Sequence, residues 1–249
     1  VPSPLGFDIL LEDEALLAVA KPAGIATQAP GAFDSLEKRI RRYLAGADGD
    51  AAAVYLGIPH RLDRPATGCI VFAKTRRAAR QLSKQFERRR VGKIYWACVE
   101  RVVQPIAGVW TDYLHKVYGQ PRAEVVPHSH PQGQEAVLHY RTLGFHAAGS
   151  WLEIELETGR THQIRIQAAS RGYPLLGDTH YGARLPFGAQ HDDERLRSIA
   201  LHARSLTFFH PTTRAETRVE APPDEAWTTL ELRPRAEEHG GPSAVSAPG

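Results

Sequence analysis

The sequence predicts an α+β fold: a mainly antiparallel sheet flanked by helices. Three observations carry that expectation. Leu152, Ile154 and Leu156 alternate with Glu153, Glu155 and Glu157, the period-two pattern of a strand with one dry and one wet face. Short segments rich in β-branched and aromatic residues recur along the chain, separated by glycine and proline. Two stretches carry apolar residues at helical spacing instead: Leu36, Ile40, Tyr43 and Leu44, then Ala78, Ala79, Leu82 and Phe86.

In chain order, Ala15 to Ala20 reads as a short apolar strand, and Lys21-Pro22-Ala23-Gly24 breaks it into a loop. Asp34 is placed to cap the first helix, with Glu37 three residues on as in a capping box. After a polar, alanine- and glycine-rich stretch the chain reaches His60-Arg61-Leu62-Asp63, then an apolar strand from Gly68 to Lys74. Thr75 caps the second helix. Lys93 to Val99 is a strand, followed by a region punctuated by proline and glycine up to Gln134, where hairpins and a short strand at Ala123 to Val126 are expected. Glu135 to Leu143, Trp151 to Glu157 and Ser205 to Phe209 add strands. Thr161 is placed to cap a helix running to about Ala169, with His162 and Arg165 one turn apart on one side.

The chain has 249 residues and 42% hydrophobic content, enough for one main domain, expected over residues 1–232. Residues 233–249, rich in proline, glycine, serine and alanine, are expected to form a disordered tail. The two cysteines, Cys69 and Cys98, fall inside apolar strands and fit a reducing, cytoplasmic setting. No apolar run reaches the roughly 18–20 residues of a membrane span, and the first ten residues lack a secretory signal pattern, so a soluble protein is expected.

Net charge is only +3, but Lys74 to Lys93 holds nine basic residues against the single acid Glu87. On the second helix Arg76, Arg77, Arg80 and Lys84 fall opposite the apolar stripe. Such a patch suits a polyanion, where phosphate neutralisation supplies much of the affinity, although a solvated helix face has the same pattern. The His60 to Asp63 turn combines a carboxylate with Arg61 at the end of a strand, where catalytic groups concentrate and where a cation can hold a phosphate or an extruded base.

Several blocks, in order, resemble the RluA-type family of pseudouridine synthases. They are Lys21 to Gly24, His60 to Asp63 with Gly68 to Lys74, Lys93-Ile94-Tyr95, Gly133 to Tyr140, Thr158 to Arg165, Gly177 to Gly182, Leu201-His202-Ala203 and His210-Pro211. The resemblance spans roughly Leu16 to Val219. It implies the pseudouridine synthase fold, a curved, mainly antiparallel mixed sheet flanked by helices with RNA across a central cleft, and isomerisation of a uridine without cofactor or metal. It assigns Asp63 as the catalytic carboxylate, Arg165 as its partner cation and Tyr95 as the ring that stacks on the uracil. Arg61 is implied at the vacancy left by the extruded base or at the adjoining phosphate, and Leu176, or Leu175 if the alignment slips, in the site floor.

Burial of Asp63 by itself disfavours its charge, so a neighbouring cation is required. His60 and His162 are expected to orient loops through hydrogen bonds. Pro65-Ala66-Thr67 departs from the threonine-serine pair usual in the family. The first block begins within about twenty residues of the first residue of this sequence, and no S4 RNA-binding domain is expected ahead of it. The expected partner is structured RNA, a tRNA or rRNA stem-loop, held by the catalytic domain itself, with a monomer and no obligatory protein partner. Two rivals carry less weight. A metal-dependent hydrolase lacks a ligand pattern such as His-Glu-x-x-His among twelve histidines. A silent RNA-binding module does not explain the joint presence of Asp63, Tyr95 and Arg165.

Overall fold

The computed structural model describes residues 5–235. The chain opens with β1 (Asp8–Glu12), β2 (Leu16–Lys21), α1 (Leu36–Ala45), β3 (Thr67–Ala73) and α2 (Arg76–Glu87). Then come β4 (Gly92–Glu100), β5 (Ala107–Lys116), β6 (Ala123–Val126), β7 (Gln134–His146) and β8 (Gly149–Leu156). After α3 (Gln163–Ser170) follow β9 (Leu201–Phe209), β10 (Glu216–Glu220), α4 (Glu225–Thr228) and β11 (Arg233–Pro234). Among the described residues the strands make one eleven-stranded sheet in the order β1-β2-β3-β9-β4-β8-β7-β5-β6, with β10 on β9 and β11 on β7. Every pairing is antiparallel except β3 with β9. The expected mixed, mainly antiparallel α+β architecture is what forms.

Period-two alternation sorts the strands onto two faces. Leu17 and Val19 of β2 and Ile70 and Phe72 of β3 share a core with Leu36 and Ile40 of α1 and Ile164 and Ala168 of α3. Their neighbours Leu16, Ala18, Cys69, Val71 and Ala73 face the other way, against Ala78 and Leu82 of α2. Thus α1 and α3 cover one face and α2 the other. A third cluster, Cys98, Leu176, Phe187, Ala200 and Trp227, closes under α4.

Two local expectations, both helix caps, are corrected. Ser35, not Asp34, caps α1: its backbone is extended and its hydroxyl accepts from Lys38 N at 3.3 Å. Asp34 instead pairs with Arg39 and Arg42 at 2.8 and 3.1 Å. The helix begins one residue later because the N–H groups of Leu36 and Glu37 are taken by Ala26 O and Thr27 O, tying its start to the loop after β2. The third helix is not capped by Thr161. It runs from Gln163 to Ser170, preceded by His162 in the left-handed region at φ 54° with no side-chain cap, and Gln163 Oε1 takes the local donors Arg160 N and Thr158 Oγ1. The expected tail begins with structure, since Arg233 and Pro234 pair with Phe145 and Gly144; the rest of that expectation, residues 236–249, lies outside the described residues.

Candidate active site

Asp63 sits at the mouth of a wedge in the sheet. Strand β3 meets β9 only through Thr67 and Gly68, opposite His202 and Ala203. Gly68 has φ 111°, and a Cβ there would collide with the Ala203 backbone, so only glycine permits this close parallel contact. Beyond it the remainder of β3 is bridged by the loop ahead of Asp63. Gly57 pairs with Ala73, and Val71 N donates to His60 Nε2 at 3.1 Å while the His60 ring stacks on Phe86 at 4.5 Å.

Both neighbours of Asp63 are pinned by the Lys21 to Thr27 loop. Thr27 Oγ1 donates to Leu62 O at 3.0 Å and accepts from Leu62 N at 3.2 Å. Arg64 O accepts from Gly24 N and from the Lys21 ammonium. Lys21 is 1% exposed and also donates to Pro22 O and Ile25 O at 2.7 and 2.9 Å. Burial pulls its pKa down to about 7, opposed by the charge of Asp63. Its three carbonyl acceptors match the three N–H bonds of an ammonium, and a neutral amine would leave one of them without a donor.

From the other side α3 brings Arg165, whose guanidinium is divided between two carboxylates. Nε and Nη2 form a fork on Asp178 at 2.7 and 2.8 Å, and Nη1 reaches Asp63 Oδ2 at 3.3 Å. Burial opposes the charge on Arg165, but the hydrogen bond and charge of Asp178, then Asp63, outweigh it and raise its pKa above the ordinary value. Asp178 is 1% exposed, and the cation above it is what makes that burial tolerable. His162, one turn earlier on the same side, places Nε2 3.8 Å from Asp63 Oδ1. Tyr95 on β4 is buried in the main core at 8% exposure. Burial pushes its hydroxyl well above the ordinary value, and the Asp63 charge adds to that.

The cavity over Asp63 has a volume of about 510 Å3, within the range that encloses a small ligand. Its lining includes Arg61, Arg64, Arg165, Arg195 and Arg197 together with Asp63, Asp178 and Glu194. Arg165, Arg195 and Arg197 are paired with carboxylates, which leaves Arg61 and Arg64 as the cations best placed to meet an anionic guest. Among the described residues no three His, Cys, Asp or Glu side chains converge as a metal cage.

The structure therefore brings Asp63, Arg61 and Arg165 to one cavity, whereas Tyr95 lies in the main core and is not among the residues that line it. It does not bring Leu176 there. Leu176 lies in the third cluster against Cys98 and Trp227, while Leu175 lies in the main core with Tyr95. Nor do Arg76, Arg77, Arg80 and Lys84 of α2 line the cavity, because α2 covers the reverse face of the sheet. Asp178, His162, Tyr181, Arg64, Arg195 and Arg197 were given no site role by the sequence reading. For Asp178 the available signal was the Gly177 to Gly182 block itself, an acid between two glycines, but nothing local says that it would meet a cation thirteen residues earlier.

The profile of the RNA pseudouridylate synthase family matches residues 15–170, more than half of the chain. The chain belongs to that family. Curated relatives of this pseudouridylate synthase family member include proteins named ribosomal large subunit pseudouridine synthase D. The one from Pseudomonas aeruginosa is 36% identical, covering 90% of this chain and 70% of the relative. That from Neisseria meningitidis serogroup A is 34% identical over 93% and 62%, and that from Vibrio cholerae 37% over 92% and 72%. The chain thus spans between 62% and 72% of the length of these three relatives. A solved structure, human RNA pseudouridylate synthase domain containing 4, superposes with a TM-score of 0.70 at 24% identity, covering 91% of this chain and 94% of that one, which shows the pseudouridine synthase fold.

Proposed function

We propose that this protein is an RNA pseudouridine synthase that isomerises a specific uridine in structured RNA, with Asp63 as the catalytic carboxylate. The observation that carries the reading is the Asp63–Arg165–Asp178 arrangement at the base of an arginine-lined cavity. The names of the relatives favour large-subunit ribosomal RNA over tRNA as the substrate class.

The chemistry asks for little beyond this. The bond from ribose C1′ to uracil N1 breaks, the ring turns, and a bond from C1′ to C5 replaces it; C5 gives up its proton and N1 gains one. Atoms and electrons balance without oxidant, hydrolysis or cofactor. An ionised carboxylate is needed at the reacting sugar or base, as nucleophile or as base. Arg165 neutralises Asp63 at a distance that holds it without closing a second fork, which leaves Asp63 Oδ1 facing the cavity and His162. The target must leave its stack to reach this depth. In this reading Arg61, exposed on the same loop, takes the flanking phosphate or fills the vacancy, and Tyr95 presents its ring to the uracil as the base enters. The buried, unpaired thiols Cys69 and Cys98 fit a reducing, cytoplasmic setting.

The test is pseudouridine mapping by selective chemical derivatisation of total RNA from cells with and without the gene. One site in large-subunit rRNA should disappear, return with the wild-type gene and stay absent with Asp63→Asn. Restoration of the site by Asp63→Asn would overturn the assignment of Asp63, and loss of a tRNA site instead would overturn the substrate class.

A further inference from the structure

His162 is placed where the reaction chemistry described so far does not use it. Its side chain is 11% exposed and lines the cavity, with Nε2 toward Asp63 Oδ1 at 3.8 Å and Nδ1 2.9 Å from the Tyr181 hydroxyl. Tyr181 is itself anchored: its oxygen accepts from Ala123 N at 2.9 Å, and its proton has two possible acceptors, His162 Nδ1 at 2.9 Å and Ala123 O at 3.3 Å. Arg165 lies over the face of the same Tyr181 ring, 5.0 Å from its centroid.

A neutral imidazole carries one N–H, so the position of that proton follows from its two neighbours. If Tyr181 donates to Nδ1, the proton resides on Nε2 and points at the Asp63 carboxylate. If Nδ1 donates to Tyr181, the phenol must use the longer bond to Ala123 O, and the bare Nε2 lone pair then faces a carboxylate oxygen. The first arrangement uses the shorter bond and places a positive edge on a negative charge; the second does neither. Asp63, Arg165, Asp178, His180 and Tyr181 are the charged and titratable groups around the ring, and burial, the largest influence, favours the neutral ring by pushing His162 below its ordinary value.

We propose that His162 is a positioning residue for Asp63, fixed by Tyr181 in the Nε2–H tautomer so that it steadies the carboxylate oxygen not held by Arg165. The inference rests on the pseudouridine synthase reading for its catalytic consequence but not for the tautomer. The present 3.8 Å exceeds hydrogen-bond length, so a movement of about 1 Å as the base enters completes the bond. The left-handed backbone of His162, φ 54°, is a local strain of the kind retained where side-chain aim matters. Through Ala123, the first residue of β6, the relay also ties Asp63 to the β5–β6 turn, whose Pro121 lines the cavity. A guest that displaces this turn therefore acts on the carboxylate's support.

Two measurements on the full chain test this. In 15N spectra of the imidazole groups without RNA, with His162 assigned by its loss in His162→Gln, the ring should show Nε2–H, and Tyr181→Phe should shift it toward a mixture. An Nδ1–H ring in the wild type, or a ring unchanged by Tyr181→Phe, overturns the relay. On large-subunit rRNA transcribed in vitro, His162→Leu should lower kcat roughly 10- to 100-fold with KM within about twofold. His162→Gln, whose amide N–H stands near the Nε2 position, should restore kcat to within about threefold. Equal impairment of the two variants would reduce His162 to packing and overturn the proposal. Absence of turnover in the wild type would count against the proposed function alone, since the tautomer is read without any RNA.

Discussion

Arg165 and Asp178 show how a buried charge is made useful. The fork on Asp178 fixes the guanidinium plane, and the one remaining nitrogen is aimed at Asp63. Removing Asp178 leaves a buried cation with a single partner, a change that in general costs about 3–5 kcal/mol. Asp178→Ala should therefore lower the unfolding free energy in urea by that amount, and activity should fall further than stability because Arg165 is freed to rotate. An unchanged midpoint would mean that Asp63 alone satisfies Arg165. Lys21 follows the same rule with neutral partners: its three carbonyls hold the loop that pins Leu62 and Arg64, so its charge serves the backbone on either side of Asp63.

Helix α2 lies within the basic stretch Lys74 to Lys93, yet it covers the face of the sheet opposite α1 and α3. Replacing Arg76, Arg77, Arg80 and Lys84 with glutamine should change the slope of log affinity against log salt by less than about 1, where four phosphate contacts would require about 3. Arg61→Gln with Arg64→Gln, both in the cavity, should reduce it by about 1.5. The reverse ranking, measured by RNA binding over a salt series, would return α2 to the interface. The apolar stripe of α2 was legible because periodicity reports which side of a helix is dry. Which face of the sheet that helix covers is not written in its own residues. It depends on the path of the chain from β3 to β4, and β4 lies beyond β9, a strand that arrives more than a hundred residues later.

For the whole molecule, histidine burial sets the acid limit. His60 accepts Val71 N–H through Nε2 and must be neutral there; burial, then Lys93, lower its pKa to about 3. His146, His162 and His202 are also lowered, with burial the largest cause. In each case the unfolded chain binds the proton more readily, so the stability is fully present above pH 6.5 and is lost as pH falls toward the folded value. His60 by itself should remove about 1.5 kcal/mol between pH 6.5 and pH 5. His60→Gln should flatten that part of the stability curve, and a wild-type stability independent of pH over this interval would contradict the buried, neutral ring. His202 is held in a matching way, between Thr67 Oγ1 at 2.8 Å and Ala221 O at 3.0 Å, which fastens β9 to β3 beside the wedge.

The sequence by itself determined the α+β class, the strands of β2, β3, β4, β7 and β8, the dry stripes of α1 and α2, and the blocks that hold Asp63, Tyr95 and Arg165. All of these are local: alternation, helical spacing and contiguous residues survive without knowledge of the fold. β1 and β10 were not expected, because each is a five-residue strand with mostly exposed side chains and so shows little of the burial contrast that pattern reading needs. Only the tertiary structure decided that Asp178 forks Arg165, that Leu175 rather than Leu176 lies with Tyr95 in the main core, that α2 lies on the reverse face, and that His162 is oriented through Tyr181. Those outcomes rest on pairs separated by up to a hundred residues and on which side of a shared sheet each element falls. A charge or an apolar side chain has no preference of its own between such partners until the sheet has brought them within reach.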